Sequence, residues 1–487
     1  MSDSDEKKSV GSILKGLMLQ KVPNYANKFF YSLGFLTATS LLLIIITGFI
    51  MVFFGPFWWL TNGFGVYIRS VHLWATQAFI LFMMLHLLIV FLTSGYKMPR
   101  RLTWVLGSLM LFLAFIEAEF GYALRGDFSS QWRTLQASDL YNGAALGHLI
   151  NNLNYAQIYG IHIIFVPLLI LGIFFLHYLM VRVRGIAKPY KKGIKYKIEK
   201  ANHNILFIRG GVLAAVILLL ALIFNSPMIA PTTIKDVSQQ SPQLMASTLL
   251  QEMNRTSGTA TYLDNIQPYN YDTREVYIIK PYESYITATG SKNDLTAFDE
   301  LSASEQQTQI DNAAGYFANN GKINTGDNKN PVIPVVSTLV NMGKSGLYEG
   351  ALVDENSKLN PTYVTRFLAD TGVLDVKAEK LRITTDQYGM VREETDKLPP
   401  GAWWLAPIGF MDHTFLKNDD NQDRDGAEIL GLLFLLLVAF PYIPWVNRIP
   451  EFIGADKLIW RGTKKKKYKE TVEEKKKVKK KKVKKNS

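Results

Sequence analysis

The sequence predicts an all-α membrane protein: a four-helix bundle, two further transmembrane helices, and a soluble α+β domain inserted before the last of them. Three observations predict it. Hydrophobic residues make up 48% of the 487 positions and gather into six runs, at about 29–54, 71–92, 102–124, 158–181, 205–229 and 429–446. Each run is long enough to cross a hydrocarbon core of about 30 Å. The formal charge of +13 is unevenly divided, because 231–426 holds 17 basic and 27 acidic residues and the remainder is strongly basic. Cysteine is absent, which excludes disulfides, thiol catalysis, cysteine-ligated clusters and thioether-bound haem.

The elements follow in order. The leader, 1–28, is polar and then amphipathic, without the pattern of a cleavable signal. Val10, Ile13, Leu14 and Leu17 fall at helical spacing and suit a helix lying on the membrane surface. The first four runs lie within 29–190 and are joined by short or medium loops, as a compact bundle requires. The connection 122–157 is longer, and "NGAALGHLINNLN" suggests short surface helices there. A fifth span at 205–229 leads through a turn-rich linker into the insert, 230–426. Its "REVYIIKPYESYI" reads as strand and its "PTYVTRFLADTGVL" as helix. The sixth span, within 427–448, is short and carries Pro441 and Pro444. The tail, 449–487, is rich in lysine and is expected to be disordered against anionic lipid; nothing else in the chain supports a nucleic-acid partner. Positive charge concentrates after the second, fourth and sixth runs. That bias places both termini in the cytoplasm and the insert outside, in a prokaryotic plasma membrane.

Two of the runs carry ionisable rings. His72 and His86 stand fourteen residues apart in the second run, and His162 and His177 fifteen apart in the fourth. At about 1.5 Å per residue the members of each pair are about 21–22 Å apart along one rough helix face. The second and fourth spans run in the same direction. His72 can therefore meet His162 near one membrane surface, and His86 can meet His177 near the other. Two facing imidazoles with no open coordination position suit a low-spin haem that carries electrons. Ligation by the neutral ring also leaves no charge stranded in lipid. The first and third runs repeat the interval: Gly34 and Gly48, then Gly107 and Gly121, are each fourteen apart. A flat macrocycle against a helix needs positions without a side chain. The bundle is therefore expected to be a dihaem one, with two non-covalent b-type haems.

The segments "YSLGF", "RSVHLW…LHLLIVFLTSGYKMPRRLTWVLG", "FGYAL" and "YGIHIIFVPLL…LHYLMVRVRGI" resemble the cytochrome b family, the core of quinol–cytochrome c and quinol–plastocyanin reductases. The likeness covers roughly 20–230 and, faintly, 400–450. The unequal histidine spacing looks like the shorter b6 type. The resemblance implies a low-potential haem on His72 and His162 and a high-potential one on His86 and His177. It implies that Arg69, which an interfacial snorkelling cation would also explain, pairs with a haem propionate; Arg182 stands either near an inner quinone or as a cation that sets topology. It also implies a quinone or quinol cofactor, a homodimeric core, and a Rieske iron–sulfur protein with a c-type cytochrome or equivalent acceptor as partners.

The departures are as informative. Ser32 stands where one branch attaches an extra haem through cysteine. "GYALRGDF" has Arg125 and Gly126 in place of Pro-Trp, while Gln157 and Ile89 replace two family arginines. The outer-site motif Pro-Glu-Trp-Tyr is matched only by "GAWWLAP". Trp403, Trp404 and Pro407 align as quinone-site candidates, but the glutamate is Ala402. Quinol oxidation needs a base. Glu117 and Glu119, at the end of the third span, are the candidate proton acceptors, with Asp412 and His413 behind them. The expected function is quinol oxidation and transmembrane electron transfer in a cytochrome bc-type respiratory complex. The alternatives are a dihaem quinone-reactive anchor of another dehydrogenase or reductase without a Rieske partner, and a haem-free scaffold or transporter.

Overall fold

The computed structural model describes residues 20–143, 146–190, 196–263, 271–320, 329–354, 361–384, 387–392, 401–419 and 422–455. The amphipathic leader helix and most of the lysine-rich tail lie outside the described residues.

Among the described residues, six helices are long and apolar enough to cross a membrane. Helix α1 spans Leu33–Phe54, after a 3-10 turn over Phe29–Ser32. It stops at Gly55, whose φ of +80° ends a helix cheaply only without a side chain. Helix α2, Gly63–Leu92, begins earlier than the apolar run, because the Asn62 side chain accepts from the amides of Phe64 and Gly65. Helix α3 is Arg101–Ala123 and the connecting helix α4 is Phe128–Gly143. Helix α5 runs through Tyr155–Arg184. Helix α6, His203–Ile223, ends before the residue preceding Pro227 rather than continuing to 229. The helix expected within 142–154 is instead α4, just before it; the described residues 146–154 form turns.

Helices α1 and α2 pack along their length, and α3 packs on α5. Helix α6 closes the other side of the first pair, with Ile217 and Ala221 buried against Val71 and Ala75. A short antiparallel pairing of β1 (Lys21–Pro23) with β2 (Ile198–Lys200) ties the entry of the bundle to the segment before α6.

The insert differs from the α+β expectation: among the described residues of 230–426 every regular element is helical. "REVYIIKPYESYI" forms a π turn, Glu275–Ile279, that runs into a helix, Lys280–Thr289. Val276, Tyr277, Ile278 and Tyr282 are all buried. The β-branched and aromatic content reflects a core position, not a pleated one. Pro281 has no amide hydrogen to offer the Tyr277 carbonyl, and the Tyr348 hydroxyl takes that place at 2.8 Å. The same core includes Phe128, Trp132 and Leu135 of α4, and Arg366 donates to Asp139 at 2.7 Å and Ser138 at 2.9 Å. The insert is therefore fastened to the connection between the third and fourth spans.

The core of the insert also buries two acids. Glu252 Oε2 accepts from the Ser257 hydroxyl at 2.8 Å, and Asp370 Oδ1 accepts from the Thr259 amide at 2.7 Å. Burial first, and then each carboxyl's proximity to the other, pushes Glu252 well above the usual carboxylate range, and burial raises Asp370 as well. The folded state therefore holds protons that the unfolded chain releases. This stabilisation is complete below the ordinary carboxylate value and is lost as pH rises through the raised one. The unfolding temperature of the insert should fall between pH 5 and pH 9, and Glu252→Gln should flatten that dependence in a thermal melt followed by circular dichroism.

The sixth span, α8 (Gln422–Ala439), lies earlier than the run 429–446, because Pro441 turns the chain into a 3-10 segment, Phe440–Tyr442. It is preceded by α7, Ala406–His413. Phe434 stacks on Phe112 at 4.5 Å, and Trp104 donates to the Leu437 carbonyl at 2.8 Å. Both contacts fix α8 against α3.

Candidate functional site

The ring centroids of His72 and His162 are 6.3 Å apart, with the planes at 70°. That gap is wide enough to admit a metal ion bonded to each ring at about 2 Å. The Thr47 hydroxyl gives its hydrogen to the Leu43 carbonyl at 2.7 Å and lies 2.9 Å from His72 Nδ1. The ring also hydrogen-bonds the Ile44 backbone, which favours the hydrogen on Nδ1 and leaves Nε2 with a free lone pair. His162 Nδ1 is 3.2 Å from the Glu117 carbonyl and 3.0 Å from its carboxylate, both acceptors. His177 Nδ1 is 3.0 Å from the Thr103 carbonyl. Three of the four rings are thus fixed in the tautomer that leaves Nε2 available for a metal.

His86 and His177 interact electrostatically, as a second pair. Each of the four predicted glycines faces one ring. A Cβ on Gly34 would lie 3.1 Å from His86 Cε1, and on Gly48 3.4 Å from His72 Cε1. On Gly107 it would be 3.3 Å from His177 Cε1, and on Gly121 2.9 Å from His162 Cε1. The missing side chains leave room for the edges of the imidazoles. The first pair is enclosed by α1 through Gly48 and by α3 through Gly121, and the second by Gly34 and Gly107.

The fifteen-residue interval also has a cause. Fifteen residues of plain α-helix overshoot four turns by about 60°. Ile161–Phe165 is a π turn, and the Val166 amide reaches back five residues to the Ile161 carbonyl. A π turn takes up an extra residue, so His162 and His177 share a face after all.

The remaining candidates divide. Arg69 is buried near the first pair. It donates to the Ser226 carbonyl at 3.2 Å, lies within electrostatic reach of Arg125 and Asp127, and leaves its Nε without a hydrogen-bond partner. Arg125 is paired with Asp127 at 2.5 Å. Arg182 is exposed in the last turn of α5. Neither acid of α3 is idle. Glu117 is on His162, and Glu119 pairs with Arg133 at 3.1 Å. Ser32 is fully buried and accepts from Arg209.

Trp403 and Trp404 lie beside α3. The Trp404 ring is 6.4 Å from Phe115 and 6.1 Å from Tyr122, and its Nε1 is buried without a hydrogen-bond partner. Ala402 is fully buried in the same cluster. Pro407 occupies the first turn of α7. The sequence reading missed Gln77. Its Nε2 donates to Tyr122 Oη and the Gly401 carbonyl, both at 3.2 Å, and its Oε1 accepts from Trp403 Nε1 at 2.9 Å. A buried amide five residues after His72 in an apolar span was the available signal. Asp412, also buried, and His413 line a separate cleft with Lys380, Arg382, Tyr388 and Lys417.

Two imidazoles are too few for a bare transition-metal ion, and among the described residues no group of three or more His, Asp or Glu gathers to hold one. A planar tetradentate macrocycle would supply the missing ligands, so the donor set fits haem. Fold and site together define a multi-pass membrane protein with paired histidines at two depths of one helical bundle. Residues 77–235 match the family model described as cytochrome b (N-terminal)/b6/petB. The cytochrome b6 of Synechococcus elongatus is 31% identical over 207 residues, covering 38% of this chain and 96% of the relative. That of Heliobacterium modesticaldum is 31% identical over 202 residues, covering 37% and 95%. A solved structure, "Hyperthermophilic respiratory Complex III", aligns with a TM-score of 0.36 and 16% identity, over 76% of this chain and 98% of that one. The chain belongs to the cytochrome b6 family.

Proposed function

We propose that the protein is the dihaem cytochrome b of a quinol-oxidising complex of the cytochrome bc type. The observation that carries this reading is the 6.3 Å separation of His72 and His162, with a glycine against each ring and a glycine likewise against each of His86 and His177. When bound, two b-type haems supply one-electron carriers at the two depths of the bundle. The chain's own residues do the rest. Thr47, Glu117 and Thr103 hold three ligand rings in the metal-binding tautomer. Arg69, buried beside Arg125, offers positive charge to a propionate. The cluster of Trp403, Trp404 and Tyr122, with Pro407 in the turn that follows, receives quinol at the outer face. Electrons then pass inward to a quinone side, near which Arg182 lies. The insert is extracytoplasmic and both termini are cytoplasmic. A Rieske protein and a c-type cytochrome take the second electron, and the core is homodimeric.

A reduced-minus-oxidised spectrum of purified protein tests this directly. The expected result is b-type bands at two haems per chain; their absence would leave only a membrane scaffold.

Gln77 holds the Trp403 segment against the haem-bearing helix. Gln77→Leu would strand buried partners at a cost of about 1–3 kcal/mol. Quinol-driven haem reduction in this variant should slow by about tenfold or more, while reduction by dithionite stays complete.

One observation favours the second reading, a quinone-reactive anchor without a Rieske partner. Position 402 has no carboxylate, and both nearby acids are already engaged by His162 and Arg133. Native copurification separates the two: a Rieske subunit supports the first reading, a molybdenum or multihaem subunit the second.

A further inference from the structure

The two histidine pairs are built on an internal repeat of α3. Thr103 and Glu117 are fourteen residues apart, each four before one of the ring-facing glycines, Gly107 and Gly121. Each gives its backbone carbonyl to a histidine Nδ1, Thr103 to His177 at 3.0 Å and Glu117 to His162 at 3.2 Å. The repeat is broken in its side chains. Glu117 adds a carboxylate oxygen, 3.0 Å from the same Nδ1. Its other oxygen is buried without a hydrogen-bond partner. His72 Nδ1, opposite, meets uncharged partners, the Thr47 hydroxyl and the Ile44 backbone. The neighbouring acid, Glu119, is turned to Arg133.

We propose that Glu117 is a positioning residue that makes His162 the most electron-rich of the ligands. It thereby lowers the reduction potential at the His72–His162 site relative to the His86–His177 site. The inference rests on the haem reading above. A carboxylate that accepts the second N–H of a ligating imidazole raises the basicity of the ligand. Its negative charge, in a poorly solvated position, also favours the oxidised and more positive metal. The result is directional. One electron leaves the first site and one is gained at the second, with no bond made or broken. The difference in potential drives that electron toward His86 and His177. The inner pair, with a threonine at the equivalent place, lacks the device.

The repeat supplies its own test. Glu117→Thr gives the first site the residue that the second site uses, Thr103→Glu does the reverse, and Glu117→Asp keeps the charge. Redox titration of the purified holoprotein, followed at the b-type bands, reads both potentials in each variant. Glu117→Thr should shift the reduction equilibrium of one haem at least tenfold toward the reduced form, about 59 mV for one electron, and leave the other unmoved. Thr103→Glu should shift the other haem the opposite way, and Glu117→Asp should stay close to the parent. Two unshifted midpoints in Glu117→Thr, with both haems bound, overturn the inference alone. If that variant loses a haem, Thr103→Glu decides: no downward shift overturns it. A parent protein without b-type bands overturns the functional reading and this inference together.

Discussion

His162→Ala should retain only about half of the haem of the parent protein, because a bis-imidazole site with one ring removed no longer holds its iron in six-coordinate, low-spin form. The remaining absorbance should belong to the site of His86 and His177, whose rings, glycines and carbonyl partner are separate from those of His162. Pyridine haemochrome quantification against protein measures the loss. The reciprocal variant, His86→Ala, should lose the other half. Full haem content in both variants would mean that the iron is held elsewhere.

Gly121→Val should reach the same endpoint without touching a ligand. Even a Cβ at this position would lie 2.9 Å from His162 Cε1, and the two methyl groups of valine enlarge the overlap. Overpacking of this kind costs about 1–3 kcal/mol. Here the flexible part of the contact is the imidazole, so relief comes by turning the ring out of the metal-binding orientation. The expected result is loss of the first haem with the second retained. Gly172→Val in α5 is the control. A Cβ at Gly172 meets nothing within 4 Å, so its haem content should match the parent. Equal spectra for Gly121→Val and the parent would show that the glycine spacing has no bearing on the ligand.

Much of this site was legible in one dimension. Helical period is a local property, so four histidines and four glycines at intervals of fourteen or fifteen announce two sites at two depths before any helix is placed. The antiparallel course of α1 and α2 then fixes which glycine faces which ring. Gly48 must meet His72, and Gly34 must meet His86. The insert was less legible. "REVYIIKPYESYI" has the composition of a strand, but it is enclosed on several sides by other helices, and composition records burial more faithfully than it records backbone shape. Gln77 went unread because its partners, Tyr122 and Gly401, are 45 and 324 residues away.

What the sequence alone determined is therefore the number of spans, the two histidine sites and their glycine spacers, since all of these follow from periodicity within single helices. Only the tertiary structure decided that a π turn brings His162 into line with His177, that Glu117 sits on a ligand ring while Glu119 turns to Arg133, and that α4 joins the core of the insert. The physical reason is the same in each case. A side chain's role depends on the partner that packing brings to it, and partners far apart in the chain leave no periodic trace in the sequence.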